Sequence, residues 1–157
     1  MTIENGLQNL EFNIIERNFP YEILLLADET KESINKYVFD SQVYAVSMNG
    51  INIAAFCLLS VDEGTVEIKN IAVIKDFRNR GVGSEIIRFI RDVCKKSNSS
   101  LIVATAAEGI DQIRFYERNG FEKFDTIKNY FLDQYPDPIY ERGVLLVDLV
   151  LLKFRES

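Results

Sequence analysis

Residues 77–85 read FRNRGVGSE. They follow an apolar run, EIKNIAVI (67–74), and lead into an amphipathic one, EIIRFIRDVCKK (85–96). Arg78, Arg80, Gly81 and Gly83 thus crowd the junction where a strand hands over to a helix. The first N–H groups of a helix lack intrahelical partners and carry the positive end of its dipole, so such a junction suits an anion. Glycine at 81 and 83 removes the Cβ that would hold a phosphate away from those N–H groups, and the arginines add charge-assisted hydrogen bonds. Several such bonds, each about 1.5–3 kcal/mol, outweigh a dipole contribution of about 0.3–1 kcal/mol. The ligand expected is a diphosphate or something equally anionic. The competing reading is a glycine-softened loop with solvated arginines. The stretch is not a Walker loop, which needs GxxxxGK followed by Ser or Thr. Nor is it GxGxxG, because Ile86 stands where the third glycine would.

Working outward, Ile86, Ile87, Ile90, Val93 and Cys94 fall on one face of a helix spanning 84 to about 96. Glu85 in its first turn and Lys95 and Lys96 in its last complement the dipole. Upstream, Val43–Met48, Ile51–Val61 and Thr65–Ile74 read as an antiparallel meander, with Asn49-Gly50 as a hairpin turn. Before it lie a strand near Leu10–Glu16 and two short helices broken near Asp28–Thr30. Downstream, LIVATA (101–106) reads as a buried strand of a parallel sheet. A helix from about Asp111 to Asn119 follows, ended by Gly120. GFEKFDT is another strand, residues 129–143 a polar, aromatic loop, and Val144–Phe154 a last strand. Strands first, then strand–helix–strand units, predict an α/β chain with a mixed sheet and helices on its faces.

The chain has 157 residues, a length that favours one domain over 1–157. No linker, repeat or low-complexity tract divides it. Its net charge of −6 argues against nucleic acid as the main partner and leans slightly towards a cationic substrate. There is no histidine, so histidine catalysis by this chain is excluded and a Cys/His metal site is not expected. Cys57 and Cys94 sit in apolar contexts and are expected as reduced core thiols. The opening residues lack signal-peptide character and the apolar runs are too short for a bilayer span. The expectation is a cytoplasmic protein without a membrane partner.

The order of elements, with three motifs, resembles the GNAT superfamily of N-acetyltransferases. Arg78-Asn79-Arg80-Gly81-Val82-Gly83 matches the superfamily's pyrophosphate loop, in which Gln or Arg is followed three residues later by Gly and five residues later by Gly or Ala. EIKNIAV (67–73) resembles its fourth strand, and IRFYERNGF (113–121) its late, tyrosine-bearing helix. The resemblance implies about seven mostly antiparallel strands, splayed between the fourth and fifth, with about four helices on both faces. It implies acetyl-CoA as co-substrate, with no metal. The pantetheine arm would pair with the backbone of Ile71, Ala72 and Val73, and the diphosphate would meet the N–H groups from Arg78 through Asn79, Arg80, Gly81, Val82 and Gly83 to Ser84. An unpaired strand edge is a natural receptor for the two amides of that arm.

Direct attack needs a neutral amine, a polarised carbonyl and a protonated leaving thiolate. An alkyl amine, with a pKa of about 10.4, must first lose a proton. Glu67 stands where some GNAT members carry a general base; the alternative is an ion pair with Lys69 on the same strand face. The N–H of Ile71 or Val73 is the expected oxyanion donor. Tyr116 matches the tyrosine that protonates the thiolate and contacts the cofactor; the alternative is packing beside Phe115. One departure is Gly109, where many members carry a cofactor-contacting asparagine; Asp111 or Gln112 is the possible replacement. The resemblance implies that the acceptor enters between the first helices, with Asp28, Glu29 and Glu32, and the segment Tyr135–Glu141; the competing and preferred reading is that these are solvated loop charges, with prolines fixing the turn. The expected reaction is acetyl transfer to a primary amine of a small molecule. A protein lysine or N-terminal acetyltransferase and a non-catalytic acyl-CoA-binding module are the alternatives. VLLVDLVLL (144–152) is apolar on both pleat faces, so either helices cover both or one face or edge meets a second subunit, and a homodimer is the expectation.

Overall fold

The computed structural model describes residues 9–155. The residues read above as lacking a leader, 1–8, lie outside that range. The chain forms two compact units, one ending at Ser99 and one beginning at Ser100.

The first unit is built on four antiparallel strands in the order β1 (Leu10–Ile15), β2 (Gln42–Met48), β3 (Ile51–Asp62) and β4 (Thr65–Val73). The turn from β2 to β3 is the Asn49-Gly50 pair. Both residues have positive φ, 52° and 81°, the twist that favours asparagine and glycine in a tight hairpin. Alternation along the strands feeds two cores. Val43, Ala55, Cys57 and Ala72 turn to one face, where they meet Ile23 and Leu24 of α1 (Tyr21–Leu24), Ile34 of α2 (Lys31–Asn35), Tyr37 and Val38. Tyr44 and Phe56, on the other face, stack at 4.8 Å, and Phe89 of α3 (Val82–Lys96) stacks on Phe12 of β1 at 4.2 Å. Helices thus cover both faces of this sheet. Thr30 caps α2, its hydroxyl accepting the Ser33 N–H at 3.0 Å.

The second unit has the strand order β5 (Ser100–Ala106), β9 (Leu149–Phe154), β6 (Phe121–Ile127), all antiparallel pairs. Its long helix is α4 (Ile110–Arg118). Gly120 follows at φ +96°, and a Cβ there would meet the Phe154 ring at 2.6 Å. This turn therefore requires glycine for two reasons, backbone and space.

The mixed α/β class stands, with five α-helices among the described residues where about four were expected. Two expectations are corrected. Residues 129–143 contain structure: α5 (Tyr130–Gln134) and β7 (Tyr140–Glu141). Val144–Phe154 is not one strand. Val144–Leu145 forms β8, which pairs with β7 in a hairpin, and β9 begins only at Leu149. Local hydrogen bonds interrupt the run. The Val147 N–H donates to Glu108 Oε1 at 3.3 Å, and the Asp148 carbonyl accepts the Ala107 N–H at 2.9 Å. Apolar character did not mark strand continuity here, and Val144 itself is exposed. β9 also has β5 on one side and β6 on the other, so its edges are closed to a second subunit.

Candidate active site

In β4, alternation decides where the main-chain groups point. The Ile74 N–H donates to Ile53 O at 2.9 Å, so Ile74 and, two residues back, Ala72 turn their polar groups to β3. Ile71 and Val73 turn theirs away from it. Arg78 Nε donates to the Val73 carbonyl at 2.9 Å, which shows the carbonyl directed away from β3. The amides expected to meet the pantetheine arm and the thioester oxygen are therefore aimed outward from the ladder.

The loop that follows is a left-handed hinge. Asn79 and Gly81 have φ of 61° and 87°. Arg80 lies over the Phe77 ring, 4.9 Å from its centroid. Helix α3 begins at Val82 with no side-chain cap, and its first internal bond is Glu85 N–H to Gly81 O at 3.0 Å. The N–H groups of Val82, Gly83 and Ser84 precede that bond, as in any helix start. That cradle, with Arg78 and Arg80 exposed beside it, fits a diphosphate. Among the expected contacts, the Arg78 N–H is already engaged by Lys75 O at 3.2 Å, so Arg78 is left to act through its guanidinium.

β4 carries a bulge. Leu58 faces Ile68 and Cys57 faces Asn70, leaving Lys69 as the extra residue. Glu67 and Lys69 nevertheless form the ion pair given above as the alternative to a base role, Nζ to Oε2 at 3.3 Å, half-buried at 17% and 29% side-chain exposure. The Lys69 ammonium also lies 5.6 Å from the centroid of the Tyr37 ring.

Beyond the bulge, Asn70 is only 4% exposed. Its amide nitrogen donates to Leu24 O and to Tyr37 Oη, both at 3.1 Å. The Tyr37 hydroxyl donates onward to Asp28 Oδ2 at 2.7 Å, and Asp28 Oδ1 accepts the Glu29 N–H at 2.6 Å. Burial, then the Asp28 carboxylate, raises the Tyr37 phenol well above its ordinary value; the Asn70 bond opposes this. Asn70 Oδ1 is buried without a partner, a cost of about 1–3 kcal/mol. Tyr37 and Asn70 were not among the expected site residues. The signal was present: an asparagine inside the apolar NIAVI segment needs buried partners. Glu29 and Glu32 are exposed, and so are Asp137 and Glu141.

In the second unit Tyr116 is buried on α4, its ring edge-on to Phe115 at 5.1 Å and Phe121 at 5.4 Å. Burial raises its phenol, so it is a protonated donor at neutral pH. At Gly109 a Cβ would lie 2.9 Å from Gln112 Oε1, so the Gln112 amide folds over the position where asparagine was expected. Asp111 instead faces the β7–β8 turn, where Arg142 Nη1 reaches its Oδ2 at 3.4 Å.

The family model described as an acetyltransferase (GNAT) domain matches residues 40–123. The chain belongs to the GNAT acetyltransferase family. This GNAT enzyme is 33% identical to a GNAT family acetyltransferase from Elizabethkingia anophelis solved with acetyl-CoA bound. The match covers 95% of this chain and 99% of that one, with a TM-score of 0.88. A Bacillus subtilis acetyltransferase solved in complex with CoA is 26% identical, with a TM-score of 0.85 over 94% and 99% of the two chains. The uncharacterized N-acetyltransferase YvbK of Bacillus subtilis is 29% identical over 84% of this chain and 86% of its own.

Proposed function

We propose that this GNAT enzyme transfers the acetyl group of acetyl-CoA to a primary amine of a small molecule by direct attack. The observation that carries the reading is the strand–loop–helix cradle of β4, Arg78–Gly81 and the start of α3, with Ile71 and Val73 turned from β3 and Arg78 tied to the Val73 carbonyl. The acetyl-CoA bound to the Elizabethkingia relative supports the choice of ligand.

Acetyl-CoA, when bound, supplies an acyl carbon activated by a thiol leaving group. The roles of the chain follow from its groups. The Ile71 or Val73 N–H polarises the carbonyl oxygen. Glu67, directly or through water, takes the proton that the attacking nitrogen loses as the C–N bond forms. Tyr116 gives its proton to the sulfur as the C–S bond breaks. Its raised pKa makes that transfer costlier than for a free phenol, so its part is to hold a hydrogen bond that becomes a proton transfer late in bond cleavage.

The test is calorimetry with acetyl-CoA and a thiol-release screen of amines, aminoglycosides, amino acids and lysine peptides. One-to-one binding with turnover on small amines is expected. Turnover on lysine peptides alone would favour the protein-modifying reading, and binding without turnover the regulatory one. The free, buried state of Cys57 and Cys94 supports a cytoplasmic setting. A homodimer completes the reading. β6 ends its strand order and exposes Phe124 and Ile127, which supports pairing with a second copy, and light scattering decides it.

A further inference from the structure

Asn70 is the first residue past the β4 bulge, and the peptide that joins it to Ile71 carries the outward Ile71 N–H. A bulge leaves its extra residue unpaired and disrupts the ladder locally. β3 therefore holds the strand least just where an N–H has to be aimed. A side chain supplies the missing hold. The Asn70 amide nitrogen donates to Leu24 O and to Tyr37 Oη, both at 3.1 Å. Both partners are themselves fixed. Leu24 is fully buried at the end of α1, and its carbonyl also accepts the Ala27 N–H at 3.1 Å. Tyr37 is buried, and its hydroxyl donates to Asp28 Oδ2 at 2.7 Å. Two bonds from one nitrogen thus locate this part of β4 against α1 and Tyr37 instead of against β3. Stability alone does not account for the residue. Asparagine is depleted in strands, and its nearest buried neighbours along β4, Ile68 and Ala72, are apolar. Its Oδ1 is buried without a partner, which is unfavourable. Leucine has the same branched outline and would leave no such oxygen, while Leu24 O would keep the Ala27 N–H and Tyr37 would keep Asp28. Local rules are broken in this way where function requires it.

We propose that Asn70 is a positioning residue for acetyl transfer: with Tyr37 it fixes the Asn70–Ile71 peptide so that the Ile71 N–H meets the thioester oxygen. The proposal rests on the acetyl-transfer reading above and, of the two N–H groups offered there, selects that of Ile71. Asn70 acts through Ile71 and touches no reacting atom. Preorganisation is what makes such a hold matter. A donor stabilises developing charge only if it is already in place when the charge appears, and a displacement of about 1 Å costs about a hundredfold in rate.

The experiment follows Asn70→Leu by infrared difference spectroscopy, with acetyl-CoA isotope-labelled at its acetyl carbonyl, and by thiol release with the best amine of the screen. In the wild type the carbonyl band of the bound thioester should lie below its position in buffer. In Asn70→Leu the band should return at least half of the way and kcat should fall at least tenfold. KM for the amine, and acetyl-CoA affinity by calorimetry, should both stay within twofold. Tyr37→Phe, which keeps the bond to Leu24 O, should move the band and kcat in the same direction by a smaller step. A residue that only supports the fold would lower the unfolding temperature and leave the band and kcat unmoved well below it. An unmoved band or kcat in a folded Asn70→Leu protein overturns the proposal, as does a loss of acetyl-CoA affinity as large as the loss of kcat. If Asn70→Leu does not fold, Tyr37→Phe decides by the same criteria. A wild type that binds acetyl-CoA without shifting the band removes the oxyanion role, and this inference with it, while leaving cofactor binding intact. Failure to bind acetyl-CoA at all removes the functional reading itself.

Discussion

Glu67 and Tyr116 meet different surroundings, and the difference sets what their substitution should show. Glu67 is half-buried and paired with Lys69, so Glu67→Gln removes both a proton acceptor and an ion-pair partner. It should lower kcat at least tenfold with little change in acetyl-CoA affinity. Tyr116 is packed against two rings and its phenol is raised by burial. Tyr116→Phe keeps the packing and loses the donor, so thiol release should drop at least tenfold while thermal stability moves little. The sign of the pH effect follows. Loss of the phenolic proton abolishes the donor, and the proton is held above the ordinary value of 10. The wild-type pH–kcat profile should therefore show no alkaline limb from Tyr116 below pH 10. Both side chains are singled out in the sequence because a motif marks them. Tyr37 and Asn70 are not, because their partners come from the α1–α2 region, more than thirty residues away from β4 in the case of Tyr37.

At the scale of elements, local chemistry was read correctly wherever a turn residue enforces it. Asn49-Gly50, Gly81 and Gly120 each sit at positive φ where a boundary was expected. The reading failed at 144–154, where one apolar run serves a hairpin arm, a linking segment and a strand. Nothing in side-chain hydrophobicity reports the Val147 and Asp148 hydrogen bonds that divide it. Gly81→Ala would force a β-carbon into the left-handed region, a cost of about 1–2 kcal/mol. It should also weaken acetyl-CoA binding, which calorimetry checks. Arg78→Ala, which frees the Val73 carbonyl and removes one charge-assisted contact, should weaken it about tenfold or more. At Gly120, alanine adds a 2.6 Å clash with Phe154 to the same strain, so it should destabilise more than Gly81→Ala in urea titrations.

For the whole molecule, buried weak acids set the upper pH limit. Burial, with Asp28 adding to it, pushes Cys57 from 9.0 to about 12; Cys94, Tyr37 and Tyr116 are raised as well, chiefly by burial. Each is neutral when folded and ionises more readily when unfolded. Their contribution is complete below the unfolded values and is lost as pH rises through the folded ones. Urea midpoints should be flat through neutral pH and fall from about pH 9 upward, with Cys57 contributing between 9 and about 12. Neither thiol should react with a disulfide reagent until the chain unfolds, since both cysteines are buried. The β7–β8 turn obeys a different control. An ion pair ties it to α4, Arg142 to Asp111, exposed at 84% and 75%. Counter-ions weaken such a clasp steeply, since the screening length shortens from about 10 Å at 0.1 M salt to about 3 Å at 1 M. The hairpin should accordingly be cut by trypsin after Arg142 faster in concentrated sodium chloride than in dilute buffer, a latch whose grip the surrounding electrolyte adjusts.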